Sequence, residues 1–562
     1  MSDEATDSGA RLLATPDWPL RPWLLAGLLG LGGLLIHLLT HENDDVPWQV
    51  AAAAFVFFGS LASAFTIDER RWKEPVVFAI VAGLVMAGLA WRAVRYGDHL
   101  PDEQYGFAAG VVATALALPL FQAEFLKRRL ATPYGEIYHH IWTDAISAAG
   151  SLAFTGLSWV ALAILAKLFQ LLKIDFIHDL MNDGWFGWTY SGLAFGAALG
   201  TLRNQLKILA TLQSVVLLVL SLLAVPLAVG LVIFLLASAI SGPQVLWEAT
   251  RDATPTLLAC AAGSFVLASV ILRQDDETMT RNRAMRIAAL ALAVVILPLA
   301  VFAAVSLGLR LNQYGLAPER LWALVTVIVA CVWGAGYWAA LIRGGKAAWA
   351  RRLREANFVL ALGACVLALL LALPLLDFGR ISAGNQLHRL ESGKVAPEKF
   401  DFAALRWDFG DAGRRALARL AKNPNARVAE LARAAIDQKQ RVYFGEGPGV
   451  RTESDFMLRV QPDDPVLRRM VLDYLKVHPW LCQDRCVAID TGTANYKAGV
   501  RRVAIIQGNA LQEVVLAPGS AGVELVDRSN RPSLSKDSKV EIREVPKRYV
   551  IVDGKPLAPL AE

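Results

Sequence analysis

Chemistry-bearing side chains are scarce along most of this chain. Only five cysteines and eight histidines occur in 562 residues, and charged residues make up 19%, below the roughly 25% usual in soluble domains. No His-Glu-x-x-His pair, Walker-type phosphate loop or Gly-x-Ser-x-Gly elbow is present, so the sequence offers no zinc-protease, P-loop or nucleophile-elbow chemistry. The glycine-rich stretch Gly27–Gly33 has no strand ahead of it and lies inside an apolar run. The long apolar runs carry almost no charge, which leaves no chain of acidic or histidine side chains to relay protons across a bilayer. The N-terminal stretch has four acidic residues before its first apolar run and neither a basic n-region nor a small-residue cleavage site. It reads as lacking a removable signal peptide, with the first apolar helix serving as the insertion signal.

What is abundant is apolar length. Hydrophobic residues reach 55% and the mean hydropathy is +0.41, the profile of a membrane protein. A helix needs about 20 apolar residues to cross the hydrocarbon layer, and eleven runs meet that need: 22–40, 47–66, 75–94, 105–125, 144–171, 186–202, 210–238, 254–272, 286–308, 319–342 and 355–376. The sixth is the shortest and could instead be re-entrant. With eleven spans and a cytoplasmic N-terminus, nineteen Arg and Lys fall on one side, from Arg11 to Arg354, and six on the other, namely Arg92, Arg95, Lys173, Arg251, Arg310 and Arg320. Removing the sixth span would move the cations at 273–286 and 343–354 outside, against the positive-inside rule. The expected architecture is an all-α polytopic bundle followed by an extracytoplasmic α+β domain. Its parts are a cytoplasmic tail (1–21), the transmembrane region (22–376), a helical connector (377–440) and a periplasmic β-rich domain (441–562). The net charge of +6 resides in membrane-flanking loops, so no nucleic-acid partner is expected; the partners are the bilayer and an envelope protein.

An odd span count places Cys482 and Cys486, in "LCQDRC", in an oxidising compartment, where a small-loop disulfide is expected. Cys260, Cys331 and Cys365 fall inside spans and read as small apolar fillers. Gly192, Gly196 and Gly200 recur every four residues in the sixth span and mark a smooth face for close helix packing, or for a moving element as in transporters. Lys167, His37 and Glu124 lie near span ends, within reach of the interface. Three outer loops each pair a histidine with carboxylates. His41 with Asp45, His99 with Asp102 and His178 with Asp179 could together bind a divalent cation if the loops converge, although acidic residues gather in outer loops by default. No cofactor is expected. On the inner face, "TPYGEIYHHIWTDA" brings Tyr134, Glu136, Tyr138, His139, His140, Trp142 and Asp144 to the start of the fifth span, as an interfacial anchor or a cytosol-facing polar site.

Beyond Leu376, Phe400, Leu405, Trp407, Phe409, Ala416 and Leu420 are candidate inward positions of a helical segment. Asn423–Asn425 forms a turn and helix cap before a second amphipathic helix. Short β-type runs start near Cys486 and include "VRRVAIIQG", "LQEVVLAPG", "VELVD", "KVEIREV" and "RYVIVDG". "DTGTAN" from Asp490 to Asn495 has too few carboxylates for tight calcium binding. Pro318 with Glu319 and Arg320 suits a helix start.

The segments "NQYGLAPERLWAL" (Asn312 to Leu324) and "PEKFDFAALRWDFG", together with the fifth span, resemble a family of multi-pass bacterial inner-membrane proteins known as domain of unknown function 4153. The likeness runs from about Trp18 to Ala421. It implies a multi-spanning membrane protein and carries no catalytic residues to this chain. A non-enzymatic envelope protein is the leading expectation, with a transporter or lipid-handling protein and a metal-dependent membrane enzyme as alternatives.

Overall fold

The computed structural model describes residues 18–41, 46–101, 103–241, 253–439, 441, 456–478, 481–482, 486–493, 500–507, 510–517, 523–524, 549–552 and 555–559. By its internal contacts the chain divides into two compact units, Met1–Phe378 and Gly379–Glu562.

Among the described residues the first unit is a bundle of ten long helices: α1 (Arg21–Thr40), α2 (Pro47–Thr66), α3 (Lys73–Tyr96), α4 (Glu103–Gln122), α5 (Tyr134–Leu171), α6 (Gly184–Asn204), α7 (Leu206–Ser241), α8 (Ala253–Leu272), α9 (Arg283–Tyr314) and α10 (Pro318–Ala372). All of these except α6 are long and apolar enough to cross a membrane, which makes nine among the described residues. Proline sits in the first turn of α1, α2 and α10, where its missing N–H costs nothing. The Asn282 side chain caps α9 by accepting from the amides of Ala284 and Met285. The hydroxyls of Thr66, Ser151, Ser221 and Ser264 donate to carbonyls four residues back, so these four bring no unsatisfied donor into the bundle.

Helix α10 is two helices, because Gly345 adopts φ 53° and ψ −153° in its interior. A left-handed φ of this kind suits glycine, which has no Cβ to clash. The largest apolar core joins α7, α8, α9 and α10 around Ile271, Leu292, Ile296, Leu299, Tyr337 and Leu353. A smaller core joins Leu25 and Leu29 of α1, Ala64 and Phe65 of α2 and Leu199 of α6. Outward-facing Leu31, Leu157 and Ile233 are more than half exposed, the inverted pattern of a bundle whose solvent is hydrocarbon.

The ends of these helices form two faces. Arg21, Thr66, Lys73, Gln122, Tyr134, Asn204, Leu272, Arg283 and the Gly345 break fall at one, here named the basic end. Glu124, expected at the inner end of the fourth span, falls just beyond it: α4 stops at Gln122, not at 125, and Glu124 has a left-handed backbone (φ 56°). Its carboxylate meets Arg71, Lys127 and Arg128, a cluster that an isolated apolar span could not show.

In the second unit the stretch expected as one helical segment is broken into α12 (Phe402–Trp407) and α13 (Gly410–Leu420), preceded by α11 (Phe378–Glu391) and followed by α14 (Ala426–Ile436). Gly410, with φ 56°, makes the break. Phe400, Leu405, Phe409, Ala416 and Leu420 are buried, whereas Trp407 is half-buried and donates from its indole to Gln438. The side chain of Asn425 caps α14 through the amides of Arg427 and Val428.

A five-stranded sheet in the order β1-β2-β3-β4-β5 is built from Leu458–Gln461, Cys486–Thr493, Arg501–Gln507, Ala510–Leu516 and Val523–Glu524. β1 and β2 are parallel, with Leu458 opposite Cys486, and α15 (Pro465–Val477) makes the crossover between them; the remaining pairs are antiparallel. Leu467, Val471, Tyr474 and Leu475 of α15 cover Val460, Ala488, Val503, Ile505 and Val514. β6 (Tyr549–Val552) and β7 (Lys555–Pro559) pair separately. The run "KVEIREV" lies outside the described residues.

Candidate functional site at the basic end of the bundle

The histidines considered as metal ligands occupy three separate short segments. His41 follows the last turn of α1, its ring edge-on to His37 at 4.7 Å. His99 closes a single 3-10 turn and His178 and Asp179 lie in the short helix Phe176–Asn182. Asp45 and Asp102 lie outside the described residues. Among the described residues no three His, Cys, Asp or Glu side chains group closely enough to hold a metal ion. Lys167 donates to Gln170, one turn further along α5.

Gly192, Gly196 and Gly200 lie directly against the backbone of α1. A Cβ at these positions would overlap the main chain of Leu29, Leu25 and Pro22 respectively, and Gly33 of α1 meets the Trp188 carbonyl in the same way. Two helices in backbone contact leave no lumen along this stripe.

Two buried polar networks converge at the basic end, one on each side of the first turns of α5. In the first, Arg354 is 5% exposed and reaches the C-terminus of α8. Its Nη2 donates to the carbonyls of Leu272 (2.7 Å) and Asp275 (2.8 Å), its Nε to Leu272 (3.1 Å), and its Nη1 to the Asp276 carboxylate (2.7 Å). The Leu272 carbonyl is one that α8 leaves without an intrahelical donor, at the end where the helix dipole favours a cation, and the Asp275 carbonyl lies in the turn just beyond it. The planar guanidinium supplies the fork needed to bind both at once. One turn on, the Tyr337 hydroxyl donates to Asn357 Oδ1 at 2.5 Å. The Asn357 amide donates to Tyr134 (3.3 Å) and Ser269 (3.5 Å). Tyr337 and Asn357 thus tie the two halves of α10 to each other and to α5 and α8.

In the second network Arg203, at the end of α6, donates to the Ala64 carbonyl of α2. Gln122 of α4 donates to Phe65 O (2.9 Å), Asn204 to Trp18 O (2.7 Å) and Arg21 to Arg203 O (3.1 Å). Asp144 of α5 lies beside Gln122 and Arg203. Its Oδ2, with Gln122 Oε1, Ser147 Oγ and Asn204 Oδ1, is buried without a protein hydrogen-bond partner. Both networks cap helix ends with side chains from other helices. Sequence reading found Asp144 through its aromatic and histidine neighbours but missed Tyr337, Arg354 and Asn357. Its one available signal was an asparagine inside an otherwise apolar run.

In the second unit the Cys482 and Cys486 sulfurs are at bonding distance, with Cα atoms 5.3 Å apart, inside the range a disulfide requires. The Cys482 amide donates to Gln507 Oε1 (2.7 Å), which anchors the small loop to the end of β3. Arg501 bridges Asp464 (2.7 Å) and Asp490 (3.1 Å), so Asp490 of "DTGTAN" faces a cation of its own protein. The Val466 amide, followed by the Arg501 charge, holds the Asp464 carboxyl below its ordinary range.

Comparison with curated proteins and with solved structures gives no match. The family model described as "Domain of unknown function (DUF4153)" matches residues 50–420, a span that takes in most of α2, α3 to α10, the Arg354 network, the second network apart from Trp18 and Arg21, and the helices up to α13. The chain belongs to the DUF4153 family.

Proposed function

We propose that this chain is an inner-membrane protein of the bacterial envelope that crosses the bilayer eleven times. It displays its C-terminal unit on the side opposite its N-terminus, as a binding module for another envelope protein. The observation that carries this reading is the Cys482–Cys486 pair at bonding distance, because disulfides persist in oxidising compartments. Counting the halves of α10 separately and adding α6 brings the nine long apolar helices to eleven. Residues 318–344 and 346–372 are each about 40 Å long, and α6 about 31 Å, at ~1.5 Å per residue, against a hydrocarbon core of roughly 30 Å. The concentration of Arg and Lys at one end of the bundle supports a cytoplasmic placement for that end. A transport path along the glycine stripe is disfavoured by the backbone contact of α1 with α6.

The test is a pair of fusions after Glu562. Alkaline phosphatase should be active there and a cytosolic fluorescent reporter dark; the reverse pattern would refute the placement. Crosslinking in intact cells should then capture a defined envelope protein through the C-terminal unit, and recovery of the chain alone with measurable solute flux would refute the binding-module reading.

A further inference from the structure

Between the start of α9 and the break in α10 lies an open groove of about 580 Å³. Arg283, Arg286, Ile287, Leu290 and Val294 line one wall, and Leu341, Gly345, Lys346 and Trp349 the other. The residues from α9 follow the three-and-four spacing of a single helical face, and they change character along it. Three cations stand at the mouth, and below them aliphatic side chains continue for about 12 Å from Arg286 to Val294, at ~1.5 Å per residue. The Gly345 break opens this wall: a Cβ there would have nothing within 4 Å, whereas one at Gly344 would strike the Trp349 backbone. Trp349 is nearly buried and forms a rigid floor.

Some cations at the basic end are paired with carboxylates of the chain and others are not. At the basic end Arg128 pairs with Glu136, Lys127 with Glu74, Arg352 with Glu355 and Arg354 with Asp276. Among the described residues Arg283, Arg286 and Lys346 have no such acidic partner. A row of uncompensated cations leading into an apolar channel at the membrane boundary is complementary to one kind of molecule, an anion on a hydrocarbon chain. We infer that this groove is a binding site for an anionic phospholipid, with the phosphate held by Arg283, Arg286 and Lys346 and an acyl chain along Ile287, Leu290, Val294 and Leu341. The assignment holds whichever way the chain is inserted, since it needs only a leaflet containing anionic lipid.

Lipid tails are as apolar as leucine, so selectivity must come from the headgroup. At about fivefold for each basic residue near an anionic headgroup, three give a preference on the order of a hundredfold. The full chain in mild detergent, titrated with phosphatidylglycerol or phosphatidylcholine and read by native mass spectrometry, should retain phosphatidylglycerol with that preference. Arg283→Gln/Arg286→Gln/Lys346→Gln should abolish the preference, while Lys207→Gln/Arg281→Gln, at the same end but outside the groove, should leave it intact. Leu290→Trp, which fills the apolar part and spares the cations, should weaken retention of phosphatidylglycerol at least tenfold with an unchanged gel-filtration profile. Equal retention of the two lipids by the native protein would overturn the proposal. So would retention unaffected by the triple substitution, or inorganic phosphate competing fully while Leu290→Trp has no effect, the signature of a headgroup-only phosphate site.

Discussion

Replacing Gly196 by alanine should destabilise the bundle, while the same change at Gly187 on the same helix should not. In an ordinary helix the exchange is favourable by about 0.5–1 kcal/mol, because glycine loses more backbone freedom on folding. At Gly187 an added Cβ meets nothing within 4 Å, so that gain stands. At Gly196 the Cβ would lie 2.6 Å from the carbonyl carbon of Leu25 and 2.8 Å from the nitrogen of Ala26. These are main-chain atoms with no rotamer to yield, so α1 must move away by about 1 Å to reach the ~3.5 Å of normal contact. A gap of that size forfeits a quarter to a half of each dispersion contact, about 0.3–1 kcal/mol for every ten atom pairs along the seam. The total fits the 1–3 kcal/mol typical of overpacking. The two variants should therefore differ by about 1.5–4 kcal/mol, which separates their melting midpoints by several degrees. Thermal denaturation in detergent followed by gel filtration, at one scan rate because unfolding will be irreversible, reads the order. A Gly196→Ala protein as robust as Gly187→Ala would show that α1 and α6 do not meet as described.

Arg354→Met should cost several kcal/mol, since the buried Leu272 carbonyl and the half-buried Asp275 carbonyl both lose their donors, at about 1–3 kcal/mol for a buried group. Arg354→Lys should recover only part of this in the same thermal assay, because an ammonium lacks the fork. Tyr337→Phe leaves Asn357 Oδ1 without its 2.5 Å donor and should lower stability by about 1–3 kcal/mol. Asp464 titrates lower in the folded chain than in the unfolded one, so its contribution is present above the ordinary aspartate range near pH ~4 and fades as pH falls below it. Protease resistance of the C-terminal unit in the full-length protein should show that acid loss, and Asp464→Asn should flatten it. Without reductant, Cys482 and Cys486 should resist alkylation in intact cells until dithiothreitol is added.

The apolar runs disclosed where the helices lie, because a period-independent stretch of about 20 apolar residues has few alternatives in a chain this hydrophobic. Local signals also carried through: Pro318 opens α10 and Asn425 caps α14, each a feature decided within four residues. Partners distant in sequence were not legible. Arg354 looked like one more inner-loop cation, because its ligands at 272–276 lie some eighty residues earlier. The four-residue spacing of Gly192, Gly196 and Gly200 defines a face but cannot say that α1 covers it. β1 and α15 escaped notice because four-residue β1 is too short for alternation to stand out, and α15 is set off only by a cap at Asp464.

The capping of α8 by Arg354 also bears on biogenesis. A chain made from its N-terminus completes α8 some eighty residues before the guanidinium that will cover its last carbonyl exists, and only after two further apolar segments have emerged. Until then the end of α8 must borrow donors from interfacial water, and its final seat in the bundle waits on the second half of α10. The helix is thus inserted early and locked late, which makes the stretch from α8 to Asn357 a single unit of assembly.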